Sequence, residues 1–149
     1  MAIARGAGTE IIRSHHFEDV DDTAEVLIFG VQHHIYTVLS VVIFANSLNA
    51  AGNHCNLYLT GYDTGAGTTA QTIYIMRNDF QAQQTFVWND KFSFNGHEPT
   101  DFGGGIDSIA KQDAIADQGS SVPQKLTALG EHASDSFEVT VTFIDQNNA

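Results

Sequence analysis

The segment from Phe137 to Phe143, with the sequence FEVTVTF, decides the fold that we predict for this chain. Its odd-numbered positions are apolar and its even-numbered positions are polar, which is the pattern of a β-strand with one face on a core and one toward solvent. Similar short segments recur along the chain, separated by turn-forming residues. We predict the further strands to span residues 11–17, 25–31, 35–46, 56–62, 73–76, 85–88, 91–94 and 125–129.

This succession of short strands predicts an all-β fold, an antiparallel β-sandwich of jelly-roll type. The segment 35–46 is apolar on both faces. We therefore expect a central strand whose outer face is covered by another segment or subunit. The pair Asn89-Asp90 separates two short aromatic strands and predicts a tight hairpin, because both residues tolerate a positive φ. A weak helical pattern covers residues 108–118.

The length of 149 residues indicates one domain. We divide it into an extended N-terminal arm, residues 1–24, and a β-sandwich body, residues 25–149. The arm holds few apolar side chains, which is typical of a segment outside the core. Residues 96–123 form one long inserted loop, and loops of this length usually serve a function or an interaction.

The charge of the chain is strongly negative, since 18 Asp and Glu face 6 Lys and Arg, for a net charge of −12. Binding to nucleic-acid phosphates or to an anionic membrane needs clustered cations, so we predict neither partner. Five of the 18 acids lie between positions 18 and 25. We expect this acidic run to meet a basic partner. The predicted partner-binding residues are Glu18, Asp19, Asp21, Asp22, Glu25, Arg5 and Arg13.

No motif in the sequence indicates catalysis, and we predict no catalytic residue, no cofactor and no metal. The adjacent pairs among the seven histidines point to opposite faces of a strand and chelate poorly. The single cysteine, Cys55, permits no intrachain disulfide and is interpreted as a small, half-buried apolar side chain. Gly103–Gly105 lacks the lysine of a phosphate loop. A hydrolase would need a pocket that joins a histidine to an acid of perturbed pKa.

The order of the segments resembles that of small virion proteins of tailed bacteriophages, of the β-sandwich type. The likeness rests on the strand that ends in Ala45-Asn46, the aromatic segment 86–94 and the closing segment 137–146, and it covers roughly residues 25–95 and 125–146. It implies a non-enzymatic capsid decoration or cement protein that bridges major capsid proteins as a trimer. It further implies assembly in the host cytoplasm and a place on the capsid surface.

A second hypothesis rests on four aromatic side chains, Tyr58, Tyr62, Tyr74 and Trp88. They could stack on sugars in a carbohydrate-binding or receptor-binding module of a tail or tail fibre. They could equally be core and subunit-interface residues, because assemblies are rich in aromatic contacts. The sequence leaves open whether the chain belongs to the capsid or the tail, and which protein it contacts.

Overall fold

The structure is a computed structural model. It describes residue 6 and residues 8–62, 71–98, 107–116 and 122–148, except for the side chains of residues 62 and 114–116. Nine strands and one helix lie within these ranges: β1 (Thr9–Val20), β2 (Glu25–Phe29), β3 (His34–Ser47), β4 (His54–Tyr62), β5 (Gln71–Asp79), β6 (Thr85–Trp88), β7 (Phe92–Asn95), α1 (Ile109–Ala116), β8 (Lys125–Gly130) and β9 (Ser136–Asn147).

The strands form two antiparallel sheets. The first sheet has the order β1-β9-β3, with β6 and β7 both paired to the far side of β3, and the second has the order β2-β8-β4-β5. The chain therefore crosses repeatedly between the sheets, although β4 and β5 are neighbours in the second sheet and β6 and β7 both belong to the first. When β6 and β7 are counted as one interrupted strand, each sheet has four strands in the order of a jelly roll. The predicted all-β sandwich is confirmed.

The core lies between the sheets, and β9 shows how the alternating sequence builds it. Phe137, Val139, Val141 and Phe143 are each at most 1% exposed, whereas the threonines between them are half-buried on the opposite face. The second sheet contributes Leu57, Leu126 and Ala128 to the same core. Burial of such side chains contributes about 1.5–3 kcal/mol each and holds the two sheets together.

The strand β3 is central, as predicted, but its inward and outward side chains do not alternate regularly along its whole length. The register with β9 shifts between Val38 and Ser40. Such a bulge inserts one residue and reverses the inward and outward positions that follow it. The inward side chains are consequently Tyr36 and Val38 before the bulge and Val41 and Ile43 after it. The outer face is only half-buried within this chain.

The predicted hairpin at Asn89-Asp90 is wrong. Strand β6 pairs with residues 41–44 of β3, and β7 pairs with residues 35–38, both antiparallel. The two strands thus run in the same direction along one edge of β3, and the chain does not reverse between them. The tolerance of Asn and Asp for turn conformations permits a reversal but does not impose one, and the two segments instead share the edge of one strand.

The N-terminal segment contributes β1, which pairs with β9 from Thr9 to Val20 and forms an edge of the first sheet. This agrees with the edge strand expected over residues 11–17. Val20 is 1% exposed and belongs to the core. The boundary between an arm and a body at residue 25 stays a prediction. The helix α1 lies within the predicted insertion 96–123, where the weak helical pattern indicated one.

We expect the Phe137→Ala substitution to lower the free energy of unfolding by about 3–5 kcal/mol, because it removes a fully buried ring and leaves a cavity. The ring packs 5.3 Å from that of Phe80, edge to face. Phe29→Ala is the matched control, since Phe29 is 58% exposed and contacts Lys125 through a cation–π interaction. It should cost about 1 kcal/mol or less. Chemical denaturation would measure both values, and similar losses would contradict the assignment of the core.

Candidate functional site

The predicted acidic residues lie at one end of the sandwich, where β1 turns into β2. Glu18, Asp19 and Asp22 are exposed, whereas Asp21 and Glu25 are half-buried. Glu25 belongs to β2 and pairs with Ala128 of β8. The five side chains thus do not form one uniform surface. The exposed carboxylates of residues 18, 19 and 22 are the ones that a partner can reach directly.

Backbone geometry at this corner holds the acidic residues against the loop between β8 and β9. Asp19 has a φ of 56°, and the register of β1 shifts between Phe17 and Val20. The carbonyl of Asp21 accepts a hydrogen bond of 2.7 Å from the amide of Gly130. A Cβ on Gly130 would lie 2.9 Å from that same oxygen, so only glycine permits this approach.

One further contact joins this corner to the β8–β9 loop, since the hydroxyl of Ser136 donates a hydrogen bond of 2.9 Å to Oδ1 of Asp19. At the other end of the loop, Glu131 follows Gly130, whose amide binds the carbonyl of Asp21, so an exposed acid of the loop follows directly on that contact. The carboxylate of Glu131 accepts a hydrogen bond of 3.0 Å from the amide of His54, at the start of β4. Sequence reasoning missed Glu131 because 106 residues separate it from Glu25 along the chain.

A buried carboxylate, Asp135, organises the loops behind the acidic end. It is 4% exposed. Its Oδ1 accepts hydrogen bonds from the amide of Asn49, at 2.7 Å, and from Nδ2 of Asn53, at 3.0 Å. Its Oδ2 accepts one of 3.0 Å from the amide of His132. One side chain thus ties the β3–β4 loop to the β8–β9 loop. A buried carboxylate is tolerated because its oxygens are hydrogen-bonded.

Of the two predicted arginines, Arg13 contacts a carboxylate far from the acidic run along the chain. Arg5 lies outside the described residues. Nη1 of Arg13 lies 3.3 Å from Oδ2 of Asp145, a carboxylate that is 2% exposed, and His34 Nδ1 lies 2.6 Å from Oδ1 of the same group. Arg13 therefore neutralises a buried acid within its own sheet. Its role in binding a partner stays a prediction.

The aromatic residues of the second hypothesis are separated by the fold. Tyr58 and Tyr74 are cross-strand neighbours in the second sheet, with ring centroids 5.8 Å apart, and Tyr74 is 65% exposed. Trp88 belongs to the first sheet, packs against the core, and has a buried Nε1. The side chain of Tyr62 lies outside the described residues. Among the described side chains, the candidates for a stacking platform are thus reduced to one tyrosine pair.

The described residues contain no group of three or more histidine, cysteine or acidic side chains that could hold a metal ion. The pKa of the Cys55 thiol is raised to about 12, mainly by burial; a hydrogen bond with the backbone of Leu129 lowers it, and the nearby Asp135 carboxylate raises it. The thiol is consequently neutral at physiological pH and a poor nucleophile. No helix in the described ranges has the length and hydropathy needed to cross a membrane.

No protein-family model matches this chain, and no curated protein matches it either. Among solved structures, a chain from the disulfide-linked pili of Bacillus endospore appendages matches with 13% identity and a TM-score of 0.43, over 100% of this chain and 97% of that one. This similarity is one of overall shape.

Two further structural matches come from infectious bursal disease virus. A chain of the Gx strain matches with 10% identity and a TM-score of 0.47, over 97% of this chain and 34% of that one. A chain of the T13 viral particle matches with 12% identity and a TM-score of 0.42, over 99% and 37%. This chain spans about a third of each virus chain. At this level of likeness the comparisons carry no argument about function.

We expect Asp135→Ala to lower the free energy of unfolding by about 3 kcal/mol, since it leaves buried donors from two loops without an acceptor. Asp22→Ala, at the same end but exposed, should change stability by no more than about 0.5 kcal/mol. Thermal or chemical unfolding would measure the difference. Equal effects of the two substitutions would show that Asp135 does not hold the loops together.

Proposed function

We propose that this chain is a non-enzymatic structural protein of a virion. In finer detail, it is a decoration or cement protein that bridges major capsid proteins on the capsid surface, acting as a homotrimer. The observation that carries the proposal is the acidic end of the sandwich, where Glu18, Asp19 and Asp22 are exposed. A concentrated negative surface fits a basic patch on another protein and is repelled by packaged nucleic acid.

The architecture supports a binding role rather than catalysis. Large apolar side chains are exposed on separate parts of the molecule: Ile12 of β1 is 71% exposed, Val87 of β6 52% and Tyr74 of β5 65%. Separate contact points of this kind suit a protein that touches several neighbours at once. The sequence-level resemblance to small phage virion proteins of the β-sandwich type supports the same conclusion.

The half-buried outer face of β3 supports self-assembly. Across the first sheet, Val42 of β3 lies opposite Val87 of β6 on one side and Thr140 of β9 on the other. Such a mixture of β-branched apolar and hydroxyl side chains can pack against another subunit without exposing a fully apolar surface in the free chain. A trimer would bury this face further.

We expect binding to shells assembled without this chain to depend on the acidic end. The pair of substitutions Glu18→Gln and Asp22→Asn should weaken co-sedimentation with such shells by up to about 30-fold, because each exposed charge contributes about 1 kcal/mol or less. Binding of the unmodified chain should also fall between about 0.05 and 0.5 M salt.

The matched control is the pair Asp90→Asn and Asp113→Asn, which changes net charge equally at exposed positions elsewhere. Equal losses in both variants, or binding that does not change with salt, would remove the acidic end as the contact. Failure of the unmodified chain to bind shells at any salt concentration would overturn the decoration role itself.

The alternative function is a carbohydrate-binding or receptor-binding module of a tail or tail fibre, and the Tyr58–Tyr74 pair favours it. If it is correct, a glycan array should give a signal that Tyr74→Ala abolishes. Trp88→Phe is the control, since that side chain packs against the core. An array without signal for the unmodified chain would dismiss this alternative.

A further inference from the structure

The edge of β1 is the feature of the fold that the proposed function leaves unused. Within the described residues, β9 is the one strand that pairs with β1. Half of the backbone N–H and C=O groups of an edge strand point away from its neighbour, and they form a template for another strand. Ile12 on this edge is 71% exposed, and Ile11 is 38% exposed.

The other sheet edges are shorter or irregular. Strand β2 has five residues and a register shift, and β6 and β7 have four residues each. Strand β5 is longer, but its pairing with β4 contains two register shifts. By contrast, β1 runs in regular register from Thr9 to Phe17. Short and bulged edges resist pairing with other chains, so β1 is the edge best suited to it.

Arg13 does not protect this edge, although a charged residue that points inward commonly does. Its guanidinium is engaged with the buried carboxylate of Asp145 at 3.3 Å. Among the described residues, protection comes at the far end of the strand, where the bulge before Val20 and the positive φ of Asp19 distort it. The stretch that can pair therefore ends near Phe17.

We propose that β1 pairs antiparallel with β1 of a second copy about a two-fold axis, with Ile12 opposite Ile12. This inference rests on the proposed function in so far as the chain assembles with itself. It names a two-fold contact, which can join trimers or form a dimer. The paired strands would merge the first sheets of the two copies into one continuous sheet.

Two criteria select this register of β1 against β1: side chains that lie opposite each other must share a face, and like charges must not meet. In the merged sheet, residues that lie opposite each other must point to the same face. Displacing the pairing by a single residue would place residues of opposite faces against each other, so such registers are excluded. Centring the axis on Arg13 would place two arginines opposite each other, and centring it on Ser14 would place Glu10 opposite Glu18. With Ile12 at the centre, Glu10 lies opposite Ser14 and Arg13 lies opposite Ile11, so no like charges meet.

An axis at Ile11 also avoids like charges, but it leaves a shorter pairing. It places Thr9 opposite Arg13, whereas the axis at Ile12 extends the pairing from Thr9 to His15. It would also place the less exposed of the two isoleucines at the centre. The longer pairing satisfies more edge groups and buries the most exposed isoleucine of the strand against its counterpart.

Disulfide trapping tests the register directly. Directly opposite Cα atoms in an antiparallel pair lie about 4.5–5.5 Å apart, within the range that a disulfide spans. The Ile12→Cys variant should therefore form a crosslinked dimer under mild oxidation, resolved on a non-reducing gel. In Ser14→Cys the two cysteines would lie about 13 Å apart, so this matched control should stay uncrosslinked. The natural Cys55 is buried and does not interfere.

Light scattering supplies the second measurement. Ile12→Arg should halve the mass of the two-fold assembly, whereas Val31→Arg, at an exposed position between β2 and β3 and away from both proposed self-contacts, should not. Because each copy carries a net charge of −12, the self-pairing should strengthen as salt rises, while binding to a basic shell should weaken. The two salt responses separate this inference from the proposed function.

Efficient crosslinking at position 12 with none at position 14 supports the pairing. Equal crosslinking at both positions, or a mass unchanged by Ile12→Arg, overturns it. If the unmodified chain binds shells but the Ile12→Cys variant forms no crosslinked dimer, the pairing is wrong and the proposed function stands. If crosslinking is efficient and no shell is bound, the pairing stands and the decoration role is wrong.

Discussion

The packing of the inward face of β9 on the second sheet is the constraint on which the rest of the structure depends. Strand β9 pairs with β1 on one side and with β3 on the other, so it lies inside the first sheet. Its apolar residues from Phe137 to Phe143 are almost completely buried. Because a strand alternates its faces, this burial also determines which residues of the two neighbouring strands point outward.

The two ends of the sandwich use buried carboxylates in different ways. Near the start of β3, Asp145 lies against Arg13 and His34, so an acid at the end of β9 connects all three strands of that region. At the opposite end, Asp135 accepts hydrogen bonds mainly from backbone and amide groups of two loops. A buried carboxylate that loses its partners destabilises the fold strongly. Each of the two acids therefore holds the strands or loops that supply its partners in one position.

The proposed contacts place different physical forces on different surfaces. The acidic end offers electrostatic attraction, which is long-ranged and weakened by salt. The edge of β1 offers backbone hydrogen bonds and apolar contact, which salt does not weaken, while added salt screens the repulsion between two negative copies. A protein with both can bind a shell and a second copy of itself independently. The core between the sheets, including Cys55, takes part in neither contact.

The sequence by itself determined the fold class and nearly every strand, because alternation along FEVTVTF and its counterparts is a local property that survives in the folded chain. It also indicated the acidic run and an apolar, half-buried Cys55, whereas the structure buries that side chain completely. Only the tertiary structure decided three other features. They are the bulge in β3, the shared direction of β6 and β7, and the contact that places the start of the β8–β9 loop, with Glu131, near Asp21. Each of these depends on which distant strand lies next to a residue. Arg13 illustrates the same limit, since its ion pair with Asp145 joins residues 132 positions apart, and no local pattern reports such a partner.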